Sequence, residues 1–159
     1  MRSRWISVLA GMVVFGIVAV GTAVAAPDQF AGTWKANMAK STYSPGPAPK
    51  SATVKIESDE KGFSVDATLT DADGKETHVK YAAKYDGKDY PATGVAYADA
   101  VSAKRVDANT VELLMKKGGK VMVTVTSTVS KDGKTRTATF KGKNENGQDV
   151  NNVVAYEKQ

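Results

Sequence analysis

"ATVKIESDEKGFSVDATL", residues 52–69, is the stretch whose reading decides the fold. In its first half Ala52, Val54 and Ile56 alternate with Thr53, Lys55 and Glu57. In its second half Phe63, Val65, Ala67 and Leu69 alternate with Ser64, Asp66 and Thr68. A period of two places each apolar set on one face of a strand, whereas a helix would need spacings of three and four. The Lys61-Gly62 turn between the halves makes the segment a hairpin with one face to bury.

The same pattern continues outward. "KETHVKYAAKY" (75–85), "AVSAKRV" (100–106), "TVELLMKK" (110–117), "KVMVTVTSTVS" (120–130), "TRTATFK" (135–141) and "VNNVVAYEK" (150–158) are rich in Val and Thr. They are separated by Gly, Asp and Asn turns, of which "DGK" recurs three times. With "GTWKAN" (32–37) the expected count is about nine strands in an antiparallel meander, the segment 86–94 being read as a long connection. Such a sheet left open would expose two edges, and closing it into an up-and-down β-barrel removes them. The expected fold is all-β, one domain over residues 26–159, with a β-sandwich as the alternative.

Upstream, Met1-Arg2-Ser3-Arg4, the apolar run Trp5 to Val20 and Ala23-Val24-Ala25 have the order of a secretory signal peptide over residues 1–25, with cleavage near Ala25/Ala26. The expected location is periplasmic or extracellular, with no stable membrane insertion once that segment is removed. Loss of Arg2 and Arg4 lowers the formal net charge from +5 to about +3. The remaining lysines are scattered, without a dense basic block interleaved with aromatics, so nucleic acid is not an expected partner. The chain has no cysteine, which removes thiol catalysis and Cys-ligated zinc.

The run Phe30-Ala31-Gly32-Thr33-Trp34-Lys35 resembles the G-x-W start of the calycins, the lipocalins and fatty-acid-binding proteins. Together "GTWKAN", "YDGKDYP" and "VNNVVAYEK" are similar to small exported bacterial lipocalin-like proteins of unassigned function. The resemblance implies that Gly32 and Trp34 anchor the first strand, Trp34 packing across the closed end of the barrel. One departure is that Pro45, Pro47 and Pro49 occupy the place of the lid helices of fatty-acid-binding proteins. Alternating prolines forbid a helix, and a stiff polyproline-like crossing of the rim is expected.

No catalytic signature is present, and the chain is expected not to be an enzyme. His78, its one histidine, lies on the polar phase of its strand. "DADGKE" (71–76) lacks the first ligand of a calcium loop and reads as a turn, so no metal site and no cofactor are expected. Arginine usage is more informative, because after Arg4 only Arg105 and Arg136 occur. Arg105 shares a face with Val101 and Ala103, Arg136 with Ala138 and Phe140, and Tyr156 with Val154; Tyr81 and Tyr85 flank Ala83 on another apolar face. Pointed inward, Arg105, Arg136, Tyr156, Tyr81 and Tyr85 would receive a small amphiphilic ligand with an apolar body and an anionic head. The competing reading has Arg136 stack on Trp34 and Arg105 reach water. At the level of the whole chain the expectation is a small-ligand binding module, and the alternative is an envelope or stress-associated protein that contacts a macromolecule through its surface. A cavity of several hundred Å3, the usual pocket size of about 300 Å3 or more, would separate them.

Overall fold

A computed structural model describes residues 27–159; the expected signal peptide over residues 1–25 lies outside the described residues. The chain forms ten strands: β1 (Gly32–Thr42), β2 (Ser51–Ser58), β3 (Gly62–Thr70), β4 (Glu76–Lys84), β5 (Tyr90–Thr93), β6 (Ala100–Asp107), β7 (Thr110–Lys117), β8 (Lys120–Val129), β9 (Thr135–Lys143) and β10 (Asp149–Lys158). Every strand pairs antiparallel with its neighbours in sequence, and β1 also pairs with β10, which closes the barrel. Closure leaves no free edge to template pairing with another chain. Among the described residues no helix is long and apolar enough to cross a membrane.

Two elements differ from the sequence-based expectation. The strand count is ten, because Tyr90–Thr93 lies within the segment read as a connection. Pro91 cannot donate to a ladder, so a four-residue run holding it does not read as a strand. Its neighbours make the pairing instead: Tyr90 lies opposite Val101, Ala92 lies opposite Tyr81, and the Ala92 N–H donates to the Asp99 carbonyl at 2.9 Å. The proline run is not one straight crossing either. β1 continues to Thr42 through a register shift between Asn37 and Thr42, and the chain then turns at Ser44–Pro45 before a short irregular stretch reaches β2. Antiparallel β1 and β2 require that reversal. It is pinned to β10 by Ser44 N–H on Asn152 Oδ1 and Asn151 N–H on the Ser44 carbonyl, both 2.8 Å.

Alternation sorts the side chains. Val54, Ile56, Val65, Ala67, Leu113, Val123, Val125 and Ala138 face inward and are buried. Outward positions between them are polar, as in the Lys80–Asp66 pair at 2.9 Å across β3 and β4. At Gly32 the chain enters β1 with a φ of +135°, a region that side-chain-bearing residues rarely adopt.

Aspartates hold the turns. Asp59 accepts from the backbone N–H of Lys61 and Gly62 at 2.7 and 3.0 Å, Asp86 from that of Lys88 at 3.0 Å, and Asp132 from that of Lys134 at 3.0 Å. Backbone donors lead in holding the Asp59 and Asp86 carboxyls below the usual carboxylate value; for Asp132 the Ser130 hydroxyl leads. A carboxylate depressed in the folded state stabilises it above the unfolded value, and that contribution is lost as pH falls through the folded one. The urea midpoint is therefore expected to hold between about pH 7 and about pH 5 and to drop below about pH 4. The triple variant Asp59→Asn, Asp86→Asn, Asp132→Asn keeps its acceptors at every pH, and its titration should show a shallower acid limb.

Candidate functional site

The strands enclose a cavity of about 160 Å3. Its wall is apolar and aromatic, including Phe63, Leu69, Met115 and Phe140, with Tyr81, Tyr97 and Tyr156 adding phenol groups. Phe63 meets Tyr81 edge to face at 6.1 Å and stacks on Tyr85 at 5.3 Å. This volume falls short of the several hundred Å3 set above as the mark of a binding module, because large side chains occupy much of the interior, so cavity size by itself does not favour binding over surface contact.

Arg136 is the one charged side chain in the cavity wall among the described residues. It is 7% exposed and has no carboxylate partner among the described residues. Its guanidinium sits 4.0 Å from the Tyr156 ring centroid and 5.6 Å from that of Trp34. Nη1 donates to Ser127 Oγ at 3.1 Å, and Nε, also buried, has no hydrogen-bond partner. Burial pushes the Arg136 pKa down, against the opposing influence of Tyr156 and Tyr81. Burial likewise raises the phenols of Tyr156, Tyr81 and Tyr97, and takes that of Tyr43 at the other end to about 12. These tyrosines are neutral hydrogen-bonding groups at neutral pH. Arginine stays protonated in proteins, so the cavity carries one positive charge that the described residues meet with π-faces and neutral hydroxyls and with no carboxylate.

Trp34 is the floor on which this rests. It is fully buried, its indole N–H donates to the Phe30 carbonyl at 2.8 Å, and the Lys158 ammonium lies 5.0 Å from its ring.

Arg105 lies elsewhere. Phe30 and Tyr85 line the cavity, and the Arg105 guanidinium packs on them at 5.6 and 4.5 Å without lining it itself. Its Nη2 pairs with Asp28 at 2.5 Å and donates to Tyr85 Oη at 3.0 Å. Arg105 is thus a clamp that holds the segment before β1 against the barrel end. Of the five residues the sequence brought forward as ligand contacts, Arg136, Tyr156, Tyr81 and Tyr85 line the cavity. His78 is exposed, with Nδ1 3.3 Å from Thr68 Oγ1. In "DADGKE" the Asp71 carboxylate accepts from the N–H of Asp73 and Lys75, both at 2.9 Å, as a turn requires.

Sequence reasoning missed Ser127 and Tyr97. Ser127 breaks the inward row Val123, Val125, Val129, and a hydroxyl in such a row was a readable signal. Tyr97 stands in the irregular link between β5 and β6, where no period applies. It shares with Leu69, Val79 and Val95 the partition between the cavity and an outer groove of about 310 Å3 under Pro47 and Pro49.

Compared with protein families, with curated proteins and with solved structures, the chain matches none.

Replacing Asp28 by Ala leaves Arg105 without its carboxylate in a partly buried site, at an expected cost of about 1–3 kcal/mol. Trp34→Ala opens the floor and should cost about 3–5 kcal/mol. Urea unfolding of each purified variant measures both, and an Asp28→Ala midpoint equal to wild type would remove the clamp role.

Proposed function

We propose that this chain is an exported β-barrel binding protein for a small, partly apolar, anionic ligand. The observation that carries the reading is Arg136, a guanidinium in an apolar cavity wall without a carboxylate partner. Such a charge is costly to bury unless paired, and an anionic head group would supply what the protein does not. The apolar wall above it would take the ligand's body.

Export belongs to the same proposal, supported by the order of residues 1–25. The polar outer face supports a barrel bathed in water, since a lipid-embedded barrel carries its apolar residues outward. The likeness to lipocalin-like proteins belongs to this proposal too and rests on the Gly32-Thr33-Trp34 run; a closed barrel with a buried Trp34 is what that likeness calls for.

The test is native mass spectrometry of the protein purified from its own envelope, with an organic extract of the same sample. A small anionic molecule at near-stoichiometric amount is expected, absent from Arg136→Gln protein that still shows a β-sheet circular dichroism spectrum. A clean mass, with no uptake on adding small organic acids, would favour the surface-contact alternative.

A further inference from the structure

We infer that the ligand is a monocarboxylic acid built on a single aromatic ring. This rests on the binding reading above and narrows it by three independent observations. The first is volume. A dry apolar cavity of about 150 Å3 accommodates benzene, and this one measures about 160 Å3. One ring fits within it, whereas a long acyl chain exceeds this volume and would have to run out of the cavity past its wall.

The second is the wall itself. Phe63, Tyr81, Phe140 and Tyr156 all face the same small space, and Phe63 and Tyr81 already hold an edge-to-face arrangement. Aromatic rings prefer offset or edge-on neighbours, so a ring among them gains contacts that a flexible aliphatic chain does not match.

The third is charge. Arg136 and the Ser127 hydroxyl meet the ligand together, and among the described residues no lysine lines the cavity. One guanidinium neutralises one negative charge. A phosphate monoester at its second ionisation would keep an uncompensated charge in an apolar enclosure, which is strongly unfavourable. The carboxylate meets the Arg136 guanidinium, and the ring points toward the partition formed by Leu69, Val79, Val95 and Tyr97.

Isothermal titration of the purified, solvent-extracted protein tests this with benzoate, phenylacetate, benzamide, phenyl phosphate and hexadecanoate. The expected result is one-to-one binding of benzoate or phenylacetate. Benzamide, the neutral isostere, should bind at least about tenfold more weakly, since hydrogen bonds to charged groups are worth about 1.5–3 kcal/mol. Phenyl phosphate and hexadecanoate should fall below the aromatic acids. Hexadecanoate binding more tightly than either aromatic acid would overturn the single-ring assignment and leave the binding reading standing. Benzamide equal to benzoate would overturn the acid, and phenyl phosphate stronger than benzoate would overturn the single charge. No heat from any of the five, together with a clean native mass, would take down the binding reading and this inference with it.

Discussion

A cation buried beneath an apolar cavity, with aromatic faces in place of a counter-ion, is the constraint on which the rest of this structure depends. Arg136 rests between Trp34 and Tyr156 and is tied to Ser127. Trp34 in turn hangs from the Phe30 carbonyl. These residues come from β1, β8, β9, β10 and the segment before β1, so the stack exists only when the barrel is shut. The quadrupole of each ring offsets part of the desolvation cost of the guanidinium. The arrangement therefore couples closure of the barrel to the chemistry of its interior.

The two arginines illustrate how the same local pattern can serve different ends. Both follow an apolar inward phase, and both pack on aromatic rings. What separates them is Asp28, which takes up Arg105, whereas Arg136 has no carboxylate partner among the described residues. A paired arginine fastens structure, and an unpaired one in a cavity wall is available to something else.

This division sets the limit of what the sequence disclosed. Alternation within single strands was legible, since it depends only on local order. Hence the inward phase of Arg136, Tyr81 and Tyr156 was apparent from residues two apart. The partner of Arg105 was not, because Asp28 stands 77 positions away and outside any strand. β5 was hidden by Pro91, which removes the very donor that defines a ladder, and by its four-residue length. Cavity size was out of reach for another reason. It is the small remainder after many large side chains are packed, and no single residue announces it.

The pairing of β1 with β10 has a consequence for how the chain reaches this state. Trp34 lies opposite Lys158, so the first strand meets its second neighbour only when β10 is in place. All the other ladders join strands adjacent in sequence and can assemble as local hairpins. The final seam is the contact of greatest sequence separation, the kind that makes β proteins slow to fold. A chain lacking β10 would thus hold a meander with two sticky margins. Shutting the barrel waits on that strand, and the Arg136 stack, which includes Tyr156 of β10, comes into being only then.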